Sequence, residues 1–232
     1  MDLFAIAKLA KSHRIVTAAD NTFASPIVQN PLDLGVDIVM HSATKYFGGH
    51  SDISAGAVAS SQEIMDKIWN LSKDFGGNLS DYTVWLLERS MKTLGIRVKA
   101  QQRNAKRLAK FLNKHTAVKS VYYPGLKTNE YHGLAKIQMK GFGAMMSFEL
   151  TEEYNAEAFL KALELIKPSM SLAGVESTML LPSKTSHALL SDSDRFSQGI
   201  TDQLIRFSVG IENKSDLIND IEQAISASHS KR

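Results

Sequence analysis

The feature that most constrains the fold is a series of short apolar runs, separated by helical patterns, in the first half of the chain. The runs cover residues 14–19, 36–40 and 55–59, and the helical patterns cover residues 2–12 and 62–71. Each run has the length of a buried strand. Short apolar strands that alternate with helices are typical of a parallel sheet with helices on its faces. We therefore predict an α/β domain for this part of the chain.

The second half of the chain has a different pattern. Helical patterns cover residues 81–94, 99–114, 156–166 and 214–228, and strand patterns cover residues 118–123, 144–150 and 204–209. Antiparallel strands with helices on one side, an α+β arrangement, account for this order of elements. We place the boundary near residue 98, which gives one domain at 1–98 and a second domain at 99–232.

The excess of basic over acidic residues is too small to indicate a nucleic-acid interface. Lys and Arg number 27 and Asp and Glu number 24, so the formal net charge is +3. The one basic cluster, residues 99–114, follows an amphipathic helical pattern and lacks aromatic partners for base stacking. A solvated helix face is the better interpretation of this cluster. No stretch approaches the length of a membrane span, so we predict neither a nucleic-acid partner nor a membrane segment.

The chain contains no cysteine, which excludes disulfides and thiolate metal sites. Its seven histidines are not paired at metal-ligand spacing, so we predict no metal site. The absence of cysteine also suits a cytoplasmic protein. Trp69 and Trp85 fall in helical patterns, and we predict that both belong to the core.

Four residues near the ends of the predicted parallel strands carry chemically useful groups. Asp20 and Lys45 follow two of these strands, and the carboxyl edge of an open α/β sheet is where ligands bind. Ser42 and Thr44 flank the lysine and offer hydroxyl groups to an anion. A lysine, a carboxylate and phosphate donors are what pyridoxal phosphate (PLP) requires of a protein. The pattern alone leaves other interpretations open, because Lys45 also fits a solvated surface lysine and Asp20 a turn residue.

Four longer motifs resemble those of one enzyme family. They lie at residues 18–58, 86–98, 171–188 and 199–213, and they include HSATKY, SLAGVES and RFSVGIEN. The chain resembles, in order and over nearly its whole length, the Cys/Met-metabolism PLP-dependent enzymes. This family includes cystathionine γ-synthase, the cystathionine γ- and β-lyases, methionine γ-lyase and the O-acylhomoserine sulfhydrylases.

The resemblance implies an α/β fold of the PLP-dependent transferase type (aspartate-aminotransferase-like, fold type I). Residues 1–98 would then form the C-terminal part of the parallel-sheet, PLP-binding large domain, and residues 99–232 the small α+β domain. The resemblance also makes Lys45 the lysine that holds PLP as a Schiff base and shuttles protons. Asp20 becomes the partner of the pyridine nitrogen, while Ser42 and Thr44 become contacts of the phosphate.

The resemblance assigns further residues to the substrate. Arg206, in RFSVGIEN, corresponds to the family's binder of the substrate α-carboxylate, a task that suits a planar guanidinium fork. Ser171 corresponds to a serine beside the lysine and the substrate carboxylate, with a turn hydroxyl as the alternative. Glu176 becomes a contact of the substrate amine, although a surface glutamate would look identical. His187 matches a family histidine of mainly structural character.

The implied activity is a PLP-dependent trans-sulfuration reaction on sulfur-containing or O-acylated amino acids, through an external aldimine. The GVES motif slightly favours the cystathionine γ-synthase or γ-lyase type over the β-lyase type. β-Elimination, γ-elimination and γ-replacement all stay open. The family also implies a homo-oligomer, a dimer or a tetramer, with an amino acid as the small-molecule substrate.

The chain departs from the family pattern in one large and two small ways. Family members have a substantial N-terminal portion before the strand that leads to Asp20, and it supplies further phosphate contacts and an aromatic ring over the cofactor. The alternative is therefore a non-catalytic fragment or split-gene half that works only with a partner chain that supplies this portion. The small departures are Ala173, which stands where the family usually has glycine, and Ala19, which stands where the family commonly has valine.

Overall fold

The computed structural model describes residues 1–229. The helices are α1 (Leu3–Ser12), α2 (Ser25–Val28), α3 (Gln62–Phe75), α4 (Asp81–Met91), α5 (Leu94–Leu112), α6 (His132–Gln138), α7 (Ala156–Ala162), α8 (Asp192–Ser197) and α9 (Lys214–Ala227). The strands are β1 (Ala18–Asp20), β2 (Ile38–Ser42), β3 (Gly56–Ser60), β4 (Val118–Tyr122), β5 (Met145–Leu150), β6 (Lys167–Pro168), β7 (Thr178–Leu180) and β8 (Leu204–Ser208). Among residues 1–229, no helix is long and apolar enough to cross a membrane.

The chain divides into two compact units. The first unit holds residues 1–96 together with residues 133–143, and the second unit holds residues 97–132 and 144–229. Helix α5 therefore begins in the first unit and continues into the second. The segment 133–143 returns to the first unit although it lies far along the chain, and this return has no signature in the local sequence.

The first unit is built on a three-stranded sheet in the order β1-β2-β3. Strands β1 and β2 are parallel, with Ala18 opposite Ile38 and Asp20 opposite Met40. Strand β3 is antiparallel to β2, so the third predicted strand exists but runs against the expected direction. Residues 43–55, which join β2 to β3, form turns and no helix. To run parallel to β2, strand β3 would need a longer crossover connection, usually a helix, and this segment does not form one.

Helix α1 covers one face of this sheet. Its Ala7 packs with Val36 and Val39 in a buried cluster, and Leu3 and Ala19 pack against that cluster. The apolar spacing of α1 predicts such a face, and Asp2 caps the helix by accepting a hydrogen bond from the Ala5 amide at 3.0 Å. Because β1 and β2 pair in parallel beneath this helix, their carboxyl ends share one edge.

Helices α3 and α4 leave large apolar side chains on the surface. Trp69 and Trp85 are 61% and 56% exposed, so the prediction that they belong to the core is wrong. Phe75 is 84% exposed, and α3 has no buried residue at all. Amphipathic spacing shows which helix face is apolar, but it does not show whether another element covers that face.

The second unit is an α+β structure with a five-stranded sheet in the order β4-β5-β8-β7-β6. Its pairs are antiparallel, except for the short β6–β7 pair, which is parallel. The core lies between this sheet and the helices. Phe148 of β5 meets Phe159 of α7 edge to face with ring centroids 6.0 Å apart, and Ile205, Phe207 and Leu217 are fully buried. The predicted α+β character of the second half is confirmed.

Candidate active site

The predicted cofactor residues of the first unit gather at the carboxyl edge of β1 and β2. Asp20 is the last residue of β1, and Ser42 is the last residue of β2. Lys45 lies in the turn that follows, where its amide N–H donates to the Ser42 carbonyl at 3.0 Å. Because the two strands are parallel, all of these residues lie at one edge of the sheet.

Thr22 connects Asp20 to Ser42. Its hydroxyl and its amide N–H both donate to Asp20 Oδ1, at 2.5 and 2.9 Å. The same hydroxyl oxygen accepts the Ser42 amide N–H at 2.8 Å. Sequence reasoning missed Thr22, and the only available signal was a hydroxyl residue two positions after an aspartate, which is common in ordinary turns.

The turn after β2 holds Thr44 and leaves two polar groups available. The Thr44 hydroxyl accepts the Ala55 amide N–H at 3.0 Å, which ties the turn to the segment before β3. Neither the Lys45 ammonium nor the Ser42 hydroxyl forms a hydrogen bond or ion pair with any residue that the structure describes. Both residues are partly buried. The edge therefore presents a free amine and a free hydroxyl to a ligand.

His41 precedes Ser42 on β2 and stacks on Phe47, with ring centroids 4.7 Å apart and planes at 25°. Burial lowers the pKa of His41 below its ordinary value of 6.5, and the charge of Asp20 opposes this shift. The imidazole is therefore neutral near pH 7.

This shift predicts a specific pH dependence of stability. A histidine with a lowered pKa in the folded chain takes up its proton more readily in the unfolded chain. The free energy of unfolding should therefore fall as the pH drops below about 6.5. His41→Asn should make the decrease between pH 7 and pH 5 smaller, as measured by urea unfolding at both pH values. If the free energy of unfolding decreases equally in the two proteins, the result would contradict the lowered pKa of His41.

Arg206 lies on β8 in the second unit, between β5 and β7. One nitrogen of its guanidinium, Nη2, donates to the carbonyls of Met170 and Ser171, at 2.9 and 3.3 Å. Burial lowers the pKa of the Arg206 guanidinium from its ordinary value, although an arginine remains charged. Within residues 1–229, no carboxylate forms an ion pair with it. A partly desolvated cation whose only partners are carbonyl groups still lacks a counter-charge, so this site favours an anionic ligand.

The other predicted substrate residues, Ser171 and Glu176, lie in the loop before β7. The Ser171 carbonyl accepts the Thr178 hydroxyl at 2.9 Å in addition to Arg206, so the backbone of Ser171 positions the guanidinium. Glu176 is exposed. His187 contacts the neighbouring Ser186 hydroxyl through Nδ1 at 2.8 Å.

A second network, which sequence analysis missed, fixes this loop to the end of β8. The Glu212 carboxylate accepts the Ser177 amide N–H at 2.5 Å and the Ser177 hydroxyl at 2.9 Å. The Ser177 hydroxyl oxygen also accepts the Gly210 amide N–H at 2.9 Å. Asn104 of α5 donates to the carbonyls of Gly210 and Glu212, at 3.1 and 2.8 Å. The network therefore joins α5, the loop and the strand that carries Arg206.

Ala173 adopts the left-handed backbone conformation, with φ +63°, and is fully buried. Its amide N–H donates to the Ser208 hydroxyl at 2.7 Å. Glycine adopts this conformation without a steric penalty, whereas another L-residue pays about 1–2 kcal/mol. The geometry explains why glycine suits this position, and the chain holds alanine there at the cost of backbone strain.

A comparison with protein families and curated proteins identifies relatives of the chain. The family model described as "Cys/Met metabolism PLP-dependent enzyme" matches residues 1–226. Cystathionine γ-lyase of Bacillus subtilis (strain 168) is 45% identical over 225 residues, which are 97% of this chain and 59% of the relative. Cystathionine β-lyase of Lactococcus lactis subsp. cremoris (strain MG1363) is also 45% identical, over 97% of this chain and 60% of the relative.

Solved structures agree with these relatives. Cystathionine γ-lyase from Lactobacillus plantarum, complexed with L-serine, matches with a TM-score of 0.95 and 44% identity, over 98% of this chain and 60% of that chain. Cystathionine γ-synthase from Xanthomonas oryzae pv. oryzae, in complex with aminoacrylate and cysteine, matches with a TM-score of 0.94 and 41% identity, over 98% and 59% of the two chains. The chain thus spans about 60% of the length of the relatives it matches.

Proposed function

The chain belongs to the Cys/Met metabolism PLP-dependent enzyme family, and we propose that it acts as a carbon–sulfur lyase or transferase. Its substrates would be sulfur-containing or O-acylated amino acids, and the reaction an elimination or a γ-replacement of the cystathionine γ-synthase or γ-lyase type. The observation that supports this most directly is the position of Lys45, in the turn that follows Ser42, at the sheet edge where β1 ends with Asp20.

The donor set of the first unit fits PLP. Asp20 uses only Oδ1 in hydrogen bonds to Thr22, and its Oδ2 accepts none from the described residues, so one oxygen remains for a pyridinium N–H. The free Ser42 hydroxyl suits the phosphate, and the Thr44 hydroxyl would join it by giving up its long, 3.4 Å hydrogen bond to the Ala55 carbonyl. Lys45 has a free amine to react with the aldehyde carbon. When bound there, PLP supplies an electron sink that stabilises negative charge at the substrate α-carbon.

The protein groups would then perform separate tasks. Lys45 Nζ holds the cofactor covalently before the substrate arrives, and it afterwards takes the proton from the substrate α-carbon. Asp20 keeps a negative charge beside the ring nitrogen. Arg206 binds the substrate α-carboxylate through the N–H groups that Met170 and Ser171 leave free. Ser171 and Glu176 complete the proposed substrate contacts, at the carboxylate and the amine.

The role of Arg206 predicts a change in KM. Arg206→Lys keeps the charge but loses the planar fork that binds a carboxylate with two parallel hydrogen bonds. We expect KM for an amino-acid substrate to rise by about tenfold or more, with a smaller change in kcat. Steady-state kinetics measure this, with Arg107→Lys on the exposed face of α5 as the matched control. An unchanged KM would show that another group binds the carboxylate.

A substrate panel tests the function and separates the possible reactions. The protein is incubated with PLP and with cystathionine, methionine, cysteine, an O-acylhomoserine, or an O-acylhomoserine together with cysteine, and the 2-oxo acid, the ammonia and the sulfur product are identified. Formation of cystathionine from the last pair would show γ-replacement. Cleavage of cystathionine to cysteine and 2-oxobutyrate would show γ-elimination, and cleavage to homocysteine and pyruvate would show β-elimination. No turnover of any of these amino acids would contradict an independent catalytic role.

A second candidate function is that of a half enzyme that requires a partner chain. It is favoured because Trp69, Phe75 and Trp85 are more than half exposed, which leaves apolar surface that another chain could cover. The partner would supply the N-terminal part, and the assembly would be a cytoplasmic dimer or tetramer. Light scattering gives the mass in solution, and co-expression with the N-terminal portion of a relative tests whether activity then appears.

A further inference from the structure

The hydroxyl of Thr22 occupies a position from which it can orient Asp20. It accepts the Ser42 amide N–H at 2.8 Å, and the amide has no other proton to give. Its own single proton is therefore directed to Asp20 Oδ1, at 2.5 Å. The result is a directed chain of hydrogen bonds from the end of β2, through Thr22, to the carboxylate at the end of β1.

The turn itself does not require this hydroxyl. The Thr22 amide N–H already closes the turn by donating to Asp20 Oδ1 at 2.9 Å. The neighbouring Asn21 is held separately, because its amide N–H donates to the Met40 carbonyl at 2.9 Å and its side chain exchanges two hydrogen bonds with Gln29. The side chain of Thr22 therefore adds a connection between strands that the local turn lacks.

We propose that Thr22 is a positioning residue that fixes the Asp20 carboxylate relative to Ser42. The inference rests on the proposed PLP site, where Asp20 serves the ring nitrogen and Ser42 the phosphate at the two ends of one rigid ligand. Thr22 is buried, whereas the Asp20 carboxylate that it holds is exposed and open to a ligand. It holds Asp20 Oδ1 and thereby leaves Oδ2 for the cofactor.

The first experiment tests the connection without cofactor. Thr22→Val keeps the shape of the side chain but removes the acceptor of the Ser42 amide N–H, whereas Thr22→Ser retains a hydroxyl. Deuterium exchange of the Ser42 amide is followed by NMR in both variants and in the unaltered protein. We expect Thr22→Val to speed exchange by about tenfold or more and Thr22→Ser to leave it nearly unchanged. Equal exchange in all three proteins would overturn the proposal.

The second experiment tests the action through Asp20. Thr22→Val should raise the Kd for PLP by about tenfold or more, whereas Thr22→Ser should have nearly the same Kd as the unaltered protein. In an Asp20→Asn background the same substitution should have less than about a threefold effect, because the group that Thr22 positions has already changed. If the effects of Thr22→Val and Asp20→Asn on the Kd for PLP are additive, or if Thr22→Val leaves the Kd unchanged, Thr22 does not act through Asp20 and its role is only structural. If the unaltered protein binds no PLP, the proposed function fails, and the exchange experiment still decides whether Thr22 holds Ser42.

Discussion

Replacement of Lys45 by alanine is expected to abolish covalent retention of PLP and to lower turnover of an amino-acid substrate by at least about 10³-fold. The alanine removes both the amine that bonds to the cofactor and the base that accepts the α-proton. Ser42, Thr44 and Asp20 remain, so PLP should still bind, but reversibly. Borohydride reduction followed by intact-mass measurement reports the covalent adduct, and steady-state kinetics report the turnover.

The control for this variant is another lysine of the first unit. Lys92 is exposed on the surface and pairs with Glu88 at 3.3 Å, which is a typical surface ion pair of small energetic value. Lys92→Ala should retain both the adduct and the turnover. A stable reduced adduct in Lys45→Ala would show that a different lysine holds the cofactor, and the proposed active site would be wrong.

Replacement of Gly210 by alanine is expected to lower the free energy of unfolding by about 3 kcal/mol or more. A Cβ at this position would lie 2.6 Å from the Ser177 amide nitrogen and closer still to the Val175 carbonyl oxygen and to Glu212 Oε2. Two of these atoms belong to the backbone, so a side-chain rotation cannot relieve the clash. The buried hydrogen bonds among Ser177, Glu212 and Gly210 would break together.

A second glycine provides the matched control. A Cβ at Gly133, in α6, would meet no atom within 4 Å. Because alanine favours a helix over glycine, Gly133→Ala should leave stability unchanged or raise it by up to about 1 kcal/mol. Urea unfolding of both variants measures the difference. If Gly210→Ala were as stable as Gly133→Ala, the result would contradict the close contact between the 171–177 loop and Gly210, which follows β8.

The sequence alone predicted the parts of the fold that depend on local periodicity. The pattern at 214–228 corresponds to α9 (Lys214–Ala227), and the runs at 36–40 and 204–209 correspond to β2 and β8. The α/β and α+β characters of the two halves are also confirmed. The gathering of Asp20 and Ser42 at one edge followed from the general property that parallel strands end on the same side.

The features that sequence analysis missed depend on contacts between distant residues. Nothing local distinguishes Thr22 from an ordinary turn residue, because its connection to Ser42 spans 20 positions along the chain. The hydrogen bonds between Ser177 and Glu212 span 35 positions. Strand β7 is three residues long and follows a loop, so no alternating pattern reveals it. The exposure of Trp69 depends on what packs against α3, which helical spacing does not encode.

The most direct test of the central claim is to locate the reduced cofactor in the unaltered protein. Trypsin cuts the chain after Arg14, Lys45 and Lys67, so an unmodified protein yields separate peptides 15–45 and 46–67. After incubation with PLP and borohydride, a modified Lys45 resists cleavage, and mass spectrometry should find one joined peptide, 15–67, that carries the added mass. Separate, unmodified peptides, with no adduct or with the adduct on another lysine, would contradict the assignment of Lys45 as the cofactor-binding residue.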